Sequence, residues 1–202
     1  MEQAIRADDT DEARRWLVIA TAAAGAIGAV ASAVPFIASM APSERARSAG
    51  APVTVELAPL APGQQMTVEW RGKPVWILRR TPQMIEALNS TAHLSRLADP
   101  LSRVEQQPAY ATNAWRSAKP EFSILVALCA HLGCIPTFRP DVAPADLGPD
   151  WHGGYYCPCH GSRFDLAGRV FRNVPAPTNL VVPPHRYLAE TLVEIGADGA
   201  QA

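Results

Sequence analysis

All four cysteines of this 202-residue chain fall in two short boxes that also carry histidines, Cys129-Ala-His131-Leu-Gly-Cys134 and Cys157-Pro-Cys159-His160-Gly-Ser162. Thiol and imidazole are metal-binding side chains, and few backbone dihedrals separate them here, so each box can aim two ligands at one point. The residue types alone allow three chemistries. A structural zinc site takes four ligands tetrahedrally, but its usual C-x-x-C and H-x-x-x-H spacings match C-x-H and C-x-C-H poorly. Two plain disulfides would use the cysteines and leave both histidines unexplained. A 2Fe–2S cluster with cysteine on one iron and histidine on the other accounts for both residue types.

The two boxes are followed by Asp165-Leu-Ala-Gly168-Arg169 and Pro175-Ala-Pro177-Thr-Asn-Leu180, and an apolar segment lies near the N-terminus. Together these features resemble the Rieske iron–sulfur subunits of the quinol–cytochrome c reductase (cytochrome bc) complex, over nearly the whole chain. The resemblance implies one 2Fe–2S (Rieske) cluster, with Cys129 and Cys157 as thiolate ligands to the inner iron. It implies His131 and His160 as ligands to the outer iron, and a Cys134–Cys159 disulfide joining the two loops. Two thiolates and two sulfides balance two ferric ions, so the oxidised centre is formally neutral, whereas all-cysteine ligation leaves it doubly negative. The mixed centre therefore accepts an electron more readily, in the broad range of about −150 to +300 mV. That range suits electrons taken from a quinol.

The same resemblance gives roles to the neighbours. The Ser162 hydroxyl donates a hydrogen bond to a bridging sulfide, which stabilises the reduced, more negative state. Leu132 shields the cluster and touches cytochrome b, and Pro175-Ala-Pro177 forms a rigid lid. His131 and His160 keep one ring nitrogen free; one of them hydrogen-bonds the quinol and takes its proton. The family often has tyrosine where Phe164 stands, so a hydroxyl donor to a ligand sulfur is missing, and a lower potential is expected. Ala130 and Val174 also replace residues that are often Thr and Gly in the family.

Positioning these residues falls to a chain long enough for one medium domain with appendages. Its net charge of −1 gives no basis for nucleic-acid binding. Residues 1–15 are expected to be a cytoplasmic N-terminus, polar and frayed through residue 13. Arg14-Arg15 then precede an uncharged run, Trp16 to Ala41, whose 26 positions reach about 39 Å as a helix, enough for a hydrocarbon core of roughly 30 Å. A secretory signal has a shorter apolar region, so residues 16–40 are read as a retained single-pass anchor rich in small residues. Flanking charge is nearly even: Arg6, Arg14 and Arg15 on one side, Arg45 and Arg47 on the other. The Arg14-Arg15 pair looks like a twin-arginine export signal, although Ala13 and Val18 depart from the fuller pattern. A cluster assembled in the cytoplasm needs export of a folded domain, and a disulfide needs an oxidising compartment. The expected location is the bacterial inner membrane, with the cluster domain in the periplasm.

Residues 41–52 read as a linker with two prolines. By composition it is a tether; the resemblance makes it a flexible hinge on which the domain swings. Residues 53–202 read as all-β with one short helix, the cluster-binding subdomain spanning about 129–177. Expected strands are Val53–Leu57, Gln65–Trp70, Pro74–Leu78, Glu121–Leu128, Gly154–Cys157, Arg163–Asp165, Val170–Phe171, Leu180–Val182, Arg186–Ala189 and Leu192–Ile195. Arg71-Gly72-Lys73 signals a hairpin, and Thr81-Pro82 caps and starts the helix, which ends before Asn89. Residues 98–118 and the proline-rich stretch 135–156 read as irregular. His93 and His185 are read as surface or packing residues, and His152 as a non-ligand.

The resemblance implies an anchored subunit that takes one electron, coupled to a proton, from ubiquinol and passes it to cytochrome c1. That contributes to a transmembrane proton gradient. Expected partners are cytochrome b and cytochrome c1 in a dimeric complex. The alternative is a periplasmic carrier such as the small subunit of an arsenite-oxidase-type enzyme, which should lack a retained anchor and hinge.

Overall fold

The computed structural model describes residues 2–43 and 50–197. The chain divides into two compact units, Met1–Ser48 and Ala49–Ala202.

The first unit is one helix, α1 (Glu2–Ser39). Its Asp11–Ser39 stretch of 29 residues rises about 43 Å, long and apolar enough to cross a bilayer. Large apolar side chains along it, among them Trp16, Leu17, Ile27, Val30 and Phe36, are exposed. Three of its hydroxyls are satisfied within the helix. Thr21 donates to the Leu17 carbonyl at 2.7 Å, Ser32 to Gly28 at 2.8 Å and Ser39 to Phe36 at 2.7 Å. No unmet hydroxyl at these positions would enter lipid. The helix fits a single membrane anchor. It begins at Glu2 rather than at the apolar run, so the expectation of a frayed polar start is corrected. Glu, Gln, Ala and Arg near the start are good helix formers, and they let the helix continue into the polar segment.

The second unit holds three antiparallel three-stranded sheets, in the orders β1-β9-β8, β2-β3-β4 and β5-β6-β7. The strands are β1 (Val53–Glu56), β2 (Gln65–Trp70), β3 (Lys73–Arg79), β4 (Phe122–Val126), β5 (Thr137–Val142), β6 (His152–Tyr156), β7 (Arg163–Asp165), β8 (His185–Tyr187) and β9 (Leu192–Ile195). β2 and β3 pair from Gln65–Leu78 to Trp70–Lys73, closed by Arg71 and Gly72 at φ 53° and 68°, the left-handed pair of a two-residue hairpin turn.

β3 and β4 are the partition of the domain. Successive side chains point to opposite faces, and both faces are covered. Val75, Ile77 and Ile124 enter a core with Val55, Leu57, Trp70, Val193 and Ile195. Trp76 and Leu125 enter a second core with Tyr155, Phe164, Leu180, Cys129 and Cys157. The Tyr155 ring stacks on Trp76 at 4.7 Å, which seats β6 on the partition.

Helix α2 (Pro82–Ala87) starts as expected, its Thr81 hydroxyl accepting the Met84 N–H. A second short helix, α3 (Thr91–Leu94), and a 3-10 turn at Ala109–Ala111 were not expected. Three strand expectations change. β5 lies inside the stretch read as irregular; as an edge strand with a register shift between Arg139 and Val142, it accommodates Pro140, which has no N–H to donate. Val170 and Phe171 make only isolated bridges, to Phe164 and Leu97. Residues 180–182 form no strand, their hydrogen bonds running singly to Gly168, Val126 and Gln106.

Candidate metal centre

Two loops leave this framework side by side. The first runs from β4 to β5 and carries Cys129, His131 and Cys134; the second joins β6 to β7 and carries Cys157, Cys159 and His160. They share one backbone plan. The Cys129 N–H donates to the Cys134 carbonyl at 2.8 Å, and the Gly133 N–H returns to the Cys129 carbonyl at 2.9 Å. Likewise the Cys157 N–H donates to Ser162 at 2.8 Å and Gly161 returns to Cys157 at 2.9 Å. Gly133 and Gly161 sit at φ 78° and 76°, a conformation that favours glycine. Each box thus reads C-x-x-x-G, a shared signal that the search for ligand spacing passed over.

Cys134 and Cys159 are disulfide-bonded and tie the loops together. Their sulfurs lie within 4.8 Å of the Cys157 thiol, but being bonded to each other they leave any ligand set. The free thiols are Cys129 and Cys157, both buried. Burial pushes the Cys157 thiol up, and the Cys129 thiol adds to the effect. Such a pair ionises when a cation compensates the two charges, which is what a pair of ferric ions provides. His131 is half-buried and His160 exposed, their rings edge to face with centroids 4.8 Å apart. Two inner thiols and two outer imidazoles at one tip fit a 2Fe–2S cluster of mixed ligation. Two plain disulfides are ruled out, since Cys129 and Cys157 are unbonded.

Ser162 is buried, and its Oγ accepts the Ala176 N–H at 3.0 Å. That contact orients the hydroxyl and leaves its proton to donate. It also docks the Pro175-Ala176-Pro177 segment, where Pro175 is exposed and Ala176 buried. Leu132 is exposed at the tip, as is Ile135 three residues further on. Phe164 is fully buried in the core that holds the two free cysteines.

Behind the loops, Asp165 through Arg169 form the expected turn. The Asp165 carboxylate accepts the Ala167 and Arg169 N–H groups and pairs with the Arg169 guanidinium at 2.7 Å. His93, an apparently unremarkable residue in sequence, is buried against this carboxylate at 3.1 Å. His185 is likewise buried, its backbone N–H donating to the Tyr110 hydroxyl at 2.8 Å. His152 lies beside His93, with ring centroids 6.1 Å apart, rather than in the pair of histidines at the tip.

The loops and sheets define a Rieske-type electron-transfer domain, and the family model described as Rieske [2Fe-2S] domain matches residues 100–185. A second family model, described as Ubiquitinol-cytochrome C reductase Fe-S subunit TAT signal, matches residues 6–43. The ubiquinol-cytochrome c reductase iron-sulfur subunit of Allochromatium vinosum is 57% identical, over 94% of this chain and 90% of its own. The corresponding subunit of Blastochloris viridis is 43% identical, over 94% and 96%. The mitochondrial Rieske subunit of the cytochrome b-c1 complex of Theropithecus gelada is 38% identical, over 93% and 62%. The chain belongs to the family of ubiquinol–cytochrome c reductase iron–sulfur subunits. A 2Fe–2S cluster is the resident group of this family's Rieske domain, and the arsenite-oxidase-type alternative is not favoured.

Proposed function

We propose that this chain is the electron-accepting subunit of a ubiquinol–cytochrome c reductase. It takes one electron and a proton from ubiquinol at a cytochrome b quinol-oxidation site and delivers the electron to cytochrome c1. The observation that carries this reading is the pairing of two buried free thiols with two outer imidazoles at one disulfide-tied tip, in a chain of this family.

Cys129 and Cys157 would hold the inner iron and His131 and His160 the outer one, with Ser162 donating to the cluster's sulfur. When bound, the cluster supplies a one-electron acceptor at a potential raised by imidazole ligation. The chain's residues do the rest. One of the outer imidazoles would present its free ring nitrogen to the quinol hydroxyl and receive its proton. Leu132 and Pro175 keep water from the tip, and Leu132 meets the apolar wall of cytochrome b. Residues 1–15 lie in the cytoplasm, 16–40 span the inner membrane, and 53–202 lie in the periplasm, with the cluster-binding part at about 129–177. The disulfide supports the oxidising side for the domain. The hinge assigned to residues 41–52 includes residues 44–49, which lie outside the described residues. The complex is taken to be a dimer.

The test is purification of the tagged full chain from native membranes. Cytochromes b and c1 should accompany it, with a Rieske-type EPR signal that appears on reduction by quinol, in a particle whose mass fits two copies. A chain that carries the signal but purifies without cytochromes overturns the partner assignment.

A further inference from the structure

Behind the cysteine loops the domain buries four ionised groups, Arg80, Arg116, Asp165 and Arg169. Of the three arginines, Arg169 pairs with the carboxylate at 2.7 Å, beside His93 at 3.1 Å. Among the described residues Arg80 and Arg116 donate to neutral oxygens. Arg80 reaches the Pro120 and Trp115 carbonyls at 3.1 and 2.8 Å. Arg116 reaches Ala167 at 3.0 Å, Leu180 at 2.8 Å and the Gln107 side-chain oxygen at 3.0 Å. Burial lowers both guanidinium pKa values to about 10, so both stay charged at neutral pH. Against these three buried cations stand Asp165 and the half-buried Asp99, whose charges both act on Arg116, so the cations exceed the acids by one.

Burying a charge without a counter-charge is expensive, and carbonyls alone repay it only in part. The Arg116 position makes the excess useful. The Leu180 carbonyl it holds belongs to a residue of the core that contains Cys129 and Cys157. The Ala167 carbonyl lies in the turn immediately after β7, which leads directly out of the second cysteine loop. Interior charges act through a low effective dielectric and are poorly screened by salt, so their reach exceeds hydrogen-bond distance. Reduction adds one negative charge to a centre held by those cysteines.

We propose that Arg116, with Arg80 behind it, is a potential-setting residue: its buried positive charge favours the reduced state and raises the midpoint potential. This rests on the cluster reading above. It acts in the direction opposite to the missing hydroxyl at Phe164. The competing account is that Arg116 only staples three segments together through their carbonyls.

Gln107→Glu separates the two accounts. It places a carboxylate of nearly the same shape on the Arg116 guanidinium and neutralises the pair. Gln83→Glu adds the same charge at an exposed site and serves as the control. Redox titration of the full chain in membranes, followed by its EPR signal at low and high salt, should show a lowered midpoint for Gln107→Glu that persists in salt. Gln83→Glu should shift little, and less in salt. Arg116→Lys should stay closer to wild type than Arg116→Gln. Equal midpoints for Gln107→Glu and Gln83→Glu with full signal overturn the proposal. So does loss of the cluster in every position-107 and position-116 variant, which leaves Arg116 a staple. A wild-type chain without a Rieske-type signal overturns the cluster reading instead.

Discussion

At the scale of single residues, function turns on which hydroxyls and charges the core holds near the cysteines. Ser162 accepts the Ala176 N–H at 3.0 Å, so its own proton is free to donate toward the loops. Ser162→Ala should lower the midpoint potential while the cluster still loads. Phe164→Tyr should raise it, because the new hydroxyl sits in the core that holds the free cysteines. Unless that hydroxyl finds an acceptor there, burying it costs about 1–3 kcal/mol, which adds a stability readout. EPR-monitored titration of both variants decides the point, and unchanged potentials refute it. Asp165 gives a second prediction at this scale. Burial pushes its carboxyl up, but Arg169 and His93 outweigh burial and hold it well below the usual carboxylate range. Its folded pKa is depressed, so its stabilisation is present above the unfolded value of about 4 and is lost as pH falls below it. Thermal melting should drop steeply on acidification in the wild type. Asp165→Asn should be destabilised at neutral pH by about 3–5 kcal/mol, since Arg169 loses its partner, and its melting should vary less with acid. Equal acid sensitivity in the two proteins would assign the loss to other groups.

At the scale of elements, the centre is two loops of one design held on different strand pairs, and the disulfide cross-links them. Cys134→Ser with Cys159→Ser should permit loading but leave the loops free to part. The bridge closes a loop with a sequence separation of 25, worth about 3 kcal/mol in the chain-entropy account. Cluster retention after heating measures this directly: the double variant should bleach at lower temperature, and wild-type retention argues against a clamp. Elements written in local chemistry were legible beforehand. The β2–β3 hairpin carries its turn in Arg71-Gly72, and α2 carries Thr81 as cap with Pro82 after it. The paired boxes were legible because ligand types and spacing are local. β5 was not, because Pro140 looks like a breaker and only an edge position with shifted register admits it. The segment 180–182 failed the other way: its apolar run looks like a strand, but its hydrogen bonds go to three separate segments. The buried arginines were invisible as well. Nothing local distinguishes Arg116 from a surface arginine until tertiary packing brings the Ala167 and Leu180 carbonyls to it.

At the scale of the whole molecule, an apolar helix and a cluster domain are compact units in one chain, and the proposed function requires the second to visit two places. In the proposed function, quinol oxidation and delivery to cytochrome c1 occur at different partners, whereas the residues proposed to set the potential lie within the domain. Motion and redox chemistry should therefore separate under mutation. The proposed hinge, residues 41–52, has 12 residues, which span at most about 40 Å when extended. Replacing Ser48-Ala49-Gly50 by prolines fixes φ at each position and favours a stiff extended rod over a flexible chain. Steady-state quinol–cytochrome c reductase turnover should fall sharply in membranes bearing this variant. The midpoint potential, EPR signal and cluster content should match wild type, since Cys129, His131, Cys157 and His160 are untouched. Single-turnover reduction of the domain by quinol should survive if the rod rests at the quinol site, with oxidation by cytochrome c1 becoming the slow step. The opposite resting place would reverse the two rates. Either asymmetry supports a hinge. Wild-type turnover with both steps unchanged reduces the segment to a tether and requires the domain to reach both partners from one position.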